Sequence, residues 1–265
     1  VPKLAPREIR GAVEFKIEEN VPIPVNDAIF DFDVFTKSEH VANDHLDIGM
    51  TVLPKKVVET YLDILGRSGL TALSVENEAQ AIARTLIGSG DKGSYLIVNF
   101  GEQKTALFIV SDEMVHFTSA VPVGGTHITE AIAKYLSVSV EEARKIKHEH
   151  HVLKTHRNTE LFLSLVNAIS VLKDEVNKIS VYWNTHTEPG EALPKKISKI
   201  ILCGRDANLP GFAEYLGIAV EHSVAVGNVW QNVFSLDAYI PPILFDESLD
   251  YAAAIGLALP RSYHA

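Results

Sequence analysis

Residues 96–129 read LIVNFGEQKTALFIVSDEMVHFTSAVPVGGTHIT, and the alternation of apolar runs and turns within them decides the fold. Leu96-Ile97-Val98 is an apolar strand that runs into a tight turn, Asn99-Phe100-Gly101-Glu102. A second strand starts at Thr105, turns at Asp112-Glu113 and gives way to a third, and Gly124-Gly125 then steps into a helix. A turn of the first kind puts backbone N–H groups and the Thr105 hydroxyl at one edge of a sheet, where a phosphate can be held. Gly124 and Gly125, before a helix with Thr126 as its expected N-cap, offer close backbone approach and helix-terminal N–H groups a second time. Taken singly, each is also the turn of an ordinary β-meander.

On the N-terminal side, Pro6 suits the first turn of a helix, and Ile9, Ala12, Val13, Lys16 and Ile17 share one helical face as far as Asn20. Prolines in Val21-Pro22-Ile23-Pro24 force an extended path. Phe30, Phe32 and Val34 alternate with Asp31 and Asp33, the pattern of a half-buried strand whose aspartates form a solvated face rather than a metal site. A second strand carries Leu46, Ile48, Met50 and Val52, and an amphipathic helix through Val57, Val58, Tyr61, Leu62 and Leu65 closes at Gly69. Leu70–Val75 is expected as a third strand, Glu76–Ile87 as a helix, and Gly88–Gly93 as a loop or hinge.

On the C-terminal side, Ser139-Val140-Glu141-Glu142 is a capping box opening a helix that ends in Lys147-His148-Glu149-His150-His151. These histidines offer no i, i+4 pair with a supporting acid, so the expectation is no metal site. Apolar residues from Leu161 to Trp183 keep helical period over a long packed helix. Ile197–Cys203 reads as a buried strand, Leu209-Pro210-Gly211 as a helix start, Ile218–Glu221 as a short strand, and Leu249–Leu259 as a final helix.

The chain has 265 residues, enough for two domains, and a formal net charge of -10, which argues against a nucleic-acid partner. No run is long enough to span a bilayer and no signal peptide opens the chain. The single cysteine, Cys203, comes directly after Ile200-Ile201-Leu202 and is expected buried and reduced. A first residue Val1 with no methionine reads as a processed, trimmed or incomplete chain.

In this order the segments resemble the actin-like ATPase superfamily, and within it the PilM family of type IV pilus assembly proteins, relatives of the cell-division protein FtsA. Val1–Glu18 with Val21–Pro24 and Asp31-Phe32 resembles the start of the family's inserted subdomain 1C, and Gly69-Leu70 with Glu76, Ala81 and Arg84 its exit. Leu96–Thr105, Val121–Gly125 and Thr129–Ile132 resemble the second phosphate motif and the strand after it. Ile200–Gly211, ILCGRDANLPG, resembles the adenosine motif, and Asp250–Leu259 the closing helix.

The resemblance implies a mixed α/β, actin-like (ribonuclease-H-like) fold with an inserted small α+β subdomain. Residues 1–75 correspond to that insertion, 76–90 to a remnant of subdomain 1A and hinge, and 91–245 to domain 2 with a helical part at about 126–196. Residues 246–265 correspond to the closing helix packing back on subdomain 1A. It implies ATP and Mg²⁺ as cofactors, with Asn99, Gly101, Thr105, Gly124, Gly125, Lys147 and Gly204 at the nucleotide. It also implies a PilN-like inner-membrane partner bound through that partner's cytoplasmic segment, between subdomains 1A and 1C, together with other pilus assembly proteins. The expected location is cytoplasmic, peripheral at the inner membrane through the partner.

Four departures bear on ATP. Asn99 stands where the family usually has an acid, and a neutral amide does not supply the charge that draws Mg²⁺. Arg144 stands where a glutamate usually faces the nucleotide. Arg205 and Asp206 come after Gly204 where glycines are usual. The first phosphate loop of the family does not precede Val1. The expectation is a scaffold with weakened or lost ATP binding and no turnover. The alternatives are an active actin-like ATPase, an FtsA-like filament former, which usually ends in a basic amphipathic helix not seen at residues 261–265, and a type II secretion scaffold.

Overall fold

The computed structural model describes residues 6–35, 47–149, 159–186 and 196–260. These form two compact units that divide between Asn77 and Glu78.

In the first unit, helix α1 (Pro6–Asn20) lies on a two-stranded antiparallel sheet of β1 (Ala28–Phe35) and β2 (Asp47–Pro54), with Ala28 opposite Pro54 and Phe35 opposite Asp47. Ile9, Val13 and Ile17, four residues apart, are buried against Phe30, Phe32, Ile48 and Val52. The helical period and the strand period thus meet on one face, and each such side chain contributes about 1.5–3 kcal/mol on burial. Helix α2 (Lys55–Arg67) comes directly after Pro54. It closes as the sequence implies, with Gly69 at φ +74° and the Leu70 amide donating to the Leu65 carbonyl at 2.9 Å. That left-handed residue satisfies carbonyls the helix end would leave bare. Leu70–Val75, expected as a strand, is irregular, and Leu70 and Leu73 are exposed. An apolar run becomes a strand only where a partner's backbone accepts its hydrogen bonds, and the β1–β2 pair does not extend to it.

The second unit is built on a five-stranded sheet ordered β5-β4-β3-β6-β7. Strands β3 (Ser94–Phe100), β4 (Thr105–Ser111) and β5 (Met114–Val121) form the antiparallel meander that the alternation implies, and β6 (Lys199–Cys203) lies parallel to β3. β3 and β4 are buried almost continuously, whereas β5 alternates, so the sheet is covered on both faces at its centre and opens toward one edge. Asp112 and Glu113 both have positive φ, the mirror-image two-residue turn whose twist matches the flanking strands. Helices α3 (Glu78–Leu86), α4 (Gly125–Leu136), α5 (Val140–Glu149) and α6 (Thr159–Thr185) pack around it. α6 buries Leu165, Ile169, Leu172, Val176 and Ile179 along one stripe.

Residues 88–93 form the loop before the meander, within the second unit, where the Gly93 amide donates to Asp91 Oδ1 at 2.7 Å and the Gly90 amide to Glu113 Oε1 at 2.7 Å. One further expectation changes. Ile218–Val220 belongs to helix α7 (Phe212–Val220), and the strand comes later as β7 (Val224–Val226). Phe212, Leu216 and Val220 are buried at four-residue spacing, so the short apolar run serves a helix already begun. After the short helix α8 (Phe245–Ser248), α9 (Ala252–Ala258) closes the unit on α3. The Thr85 hydroxyl donates to the Ala252 carbonyl at 2.7 Å and Arg84 Nε to the Gly256 carbonyl at 2.9 Å.

Candidate functional site

The β3–β4 turn, the start of α4, the loop after β6 and the start of α9 converge at one end of the sheet. Gly101 closes the turn by donating its amide to the Lys104 carbonyl at 3.1 Å. The start of α4 folds onto that turn: the Gly125 amide donates to the Gly101 carbonyl at 3.0 Å and the Thr126 amide to the Glu102 carbonyl at 2.8 Å. A Cβ on Gly124 would lie 2.5 Å from the Gly101 carbonyl oxygen, so glycine here allows backbone to meet backbone. Gly124, rather than Thr126, is the N-cap, and its amide donates to His127 Nδ1 at 3.2 Å. Thr105 is fully buried and its hydroxyl donates to the Val123 carbonyl at 2.6 Å.

Across the sheet, Asn99 Nδ2 donates to Glu78 Oε1 at 3.2 Å. Gly204 comes after β6 at φ +93°, and a Cβ there would come within 2.5 Å of Asn99 Oδ1. Its amide donates to the Leu249 carbonyl at 3.2 Å and the Asp206 amide to the Phe100 carbonyl at 3.2 Å, which fixes the loop against β3 and the turn that precedes α9. An open cavity of about 360 Å³ remains, lined by Glu78, Asn99, the Gly101–Lys104 turn, Gly204, Arg205 and Asp250. That is near the lower end of ligand-pocket volumes.

Charges lie over and under this cleft. Arg205 Nη1 is 3.3 Å from Glu102 Oε2 and its Nε 3.8 Å from Asp250 Oδ2, while Arg144 Nη2 is 3.9 Å from Glu102 Oε1. Beneath them Lys147 Nζ lies 2.7 Å from Asp206 Oδ1, with side-chain exposures of 4% and 2%. The two are within charge-assisted hydrogen-bond distance, although the angle at Oδ1 is poor. His148 Nε2 is 3.6 Å from the same oxygen. Burial, reinforced by the Lys147 charge, pulls the His148 pKa below its ordinary value. Cys203 is fully buried, and burial pushes its thiol pKa up, which keeps it inert.

Of the residues singled out from sequence, Asn99, Gly101 and Gly204 line the cavity, whereas Thr105, Gly124, Gly125 and Lys147 lie behind it. The hydroxyl of Thr105, the amides of Gly124 and Gly125 and the ammonium of Lys147 meet protein atoms there. Glu78, Leu249, Asp250 and Ala252 also line it, brought in by helices remote in sequence. Nothing local marks them, although the position of Lys147 one turn after buried Ala143 places it on the inner face of α5. Among the described residues no cluster of metal-ligating side chains is present; His150 and His151 lie outside them.

A family model described as type IV pilus assembly protein PilM matches residues 2–262. The chain belongs to the PilM family. Its backbone is similar to that of a PilM–PilN type IV pilus biogenesis complex, with a TM-score of 0.75, 19% identity, and 97% of this chain and 73% of that one covered. It is also similar to MreB5 of Spiroplasma citri bound to ADP, with a TM-score of 0.57 at 18% identity over 78% of this chain and 65% of that one. The ethanolamine utilization protein EutJ from Carboxydothermus hydrogenoformans gives a TM-score of 0.51 at 20% identity, covering 76% and 59%. At these identities the likeness establishes the fold, which is actin-like, and the PilM family supplies the connection to type IV pilus assembly.

Proposed function

We propose that this PilM-family chain is a scaffold of the pilus assembly machinery that binds the cytoplasmic segment of a PilN-like inner-membrane protein and turns over no ATP. The match to the family over residues 2–262 supports the scaffold role, and the likeness to a PilM–PilN complex along 97% of the chain supports the partner. Among the described residues no helix is long and apolar enough to cross a membrane, which accords with recruitment through a partner. In this reading residues 1–75 act as the inserted 1C-like subdomain and 76–90 as part of subdomain 1A. Residues 91–245 form domain 2, and 246–265 supply the closing helix.

The observation that carries the loss of turnover is Asn99. By resemblance it stands where the family usually has an acid for Mg²⁺, its amide donates to Glu78 at 3.2 Å, and the Thr105 hydroxyl and Gly125 amide are engaged by protein carbonyls. Calorimetric titration of the whole chain with Mg-ATP is expected to show binding weaker than micromolar and no phosphate release. A peptide of the PilN cytoplasmic segment is expected to bind whether or not nucleotide is present. Low-micromolar Mg-ATP binding with hydrolysis overturns the reading. The cavity rimmed by Gly101 and Gly204 favours one second reading, nucleotide binding without turnover, which the same titration separates.

A further inference from the structure

We propose that Asp206 is a built-in anionic ligand: its carboxylate fills an anion-binding position between Lys147 and the first residue of α4, and so excludes free anions from the inner part of the cleft. The inference rests on the reading of this chain as a scaffold that does not depend on nucleotide. Three features define the position. The ammonium of Lys147 is buried, 2.7 Å from Asp206 Oδ1 and 3.4 Å from the Gly125 carbonyl. Gly125 begins a helix of 12 residues, whose positive end favours a negative charge. Asp206 Oδ2 lies over Gly125 so closely that a Cβ there would be 1.7 Å away, and only glycine accommodates the carboxylate.

Asp206 behaves as an occupant of this position rather than as part of its frame. Its Oδ1 meets the Lys147 ammonium at 2.7 Å and the His148 ring at 3.6 Å, whereas the frame itself is fastened by backbone bonds that do not involve the carboxylate. Those bonds are Gly125 to Gly101, Thr126 to Glu102 and the Asp206 amide to Phe100. Removing the carboxylate therefore leaves an intact cradle with an uncompensated ammonium. The carboxylate pins α4, α5 and the loop after β6 together behind the open cavity.

The test is Asp206→Gly in the whole chain, with thermal unfolding measured in chloride and in formate, inorganic phosphate or ADP at matched ionic strength. The variant is expected to melt lower than the parent and to regain stability saturably with one or more of these anions, at concentrations about tenfold below any that affect the parent. If it does not fold in chloride, refolding in phosphate or formate is read instead, and recovery supports the proposal. The double variant Lys147→Met/Asp206→Gly is expected to ignore the anions. No response of Asp206→Gly to any of them, or a response equal in the parent or the double variant, overturns it. Low-micromolar Mg-ATP binding with hydrolysis by the wild-type chain would overturn the scaffold reading without deciding this one, because the variant series is read against its own parent.

Discussion

Asn99 and Glu78 show how one atom decides the chemistry of the cleft. The amide donates to the carboxylate at 3.2 Å. Asn99→Asp replaces that bond by two facing carboxylates at an exposed position and is expected to cost about 0.5–1 kcal/mol in urea unfolding at neutral pH. Such a pair holds a proton above the ordinary carboxylate range, so the penalty is present at neutral pH and is relieved as pH falls through the raised pKa. A penalty independent of pH would show that the two side chains do not face one another. His148 carries the opposite dependence. Its pKa is lowered in the fold, by burial first and by Lys147 second, so the unfolded chain binds the extra proton. Stability from this residue is full above the ordinary histidine value of about 6.5 and is lost as pH falls toward the depressed one. His148→Gln is expected to shallow the acid limb of the stability–pH curve, and proton NMR titration of the ring is expected to give a midpoint below that of an exposed histidine.

At the scale of elements, two helical glycines make opposite predictions. Gly256 in α9 faces α3 so closely that a Cβ would lie 1.9 Å from the Ala81 carbonyl oxygen. Gly256→Ala must push the helices apart and break the Arg84 and Thr85 bonds to α9, and a loss of about 2–4 kcal/mol is expected in denaturant unfolding. Gly11 lies mid-way along α1 with nothing within 4 Å of its Cβ position. Gly11→Ala is expected to raise stability by about 0.5–1 kcal/mol, since the helix gains propensity without a clash. Equal effects at the two sites would show that α3 and α9 are not packed as described.

For the whole molecule, the second unit carries the large continuous core, from Leu96 and Phe100 through Leu172 to Leu202 and Phe212, and closes on itself through α3 and α9. A fragment of residues 78–260 is therefore expected to fold cooperatively, with amide exchange slowest in β3, β4 and β6. Dispersed NMR spectra and a single unfolding transition check it; a molten fragment would show that the first unit completes its core. The first unit has a small core around Val13 and Ile17 and exposes Tyr61, Ile64 and Leu73, so it is expected to unfold at lower denaturant than the second.

Periodicity alone determined the meander, the buried strand that became β6, the long helix α6 and the α1 face that covers β1 and β2. In each of these the apolar spacing is satisfied by one secondary structure and refused by the other. Local chemistry likewise determined the Asp112-Glu113 turn and the Gly69 helix end, because those backbone angles depend on the residues that adopt them. Only the tertiary structure decided where hydrogen bonds and charges find their partners. Leu70–Val75 has the composition of a strand and no strand beside it, and Ile218–Val220 was claimed by a helix begun at Phe212. Lys147 and Asp206 are 59 positions apart in the chain, and neither carries a local sign of the other. Their pairing, like the turning of Thr105, Gly124 and Gly125 toward protein atoms, arises from long-range packing that a one-dimensional pattern does not encode.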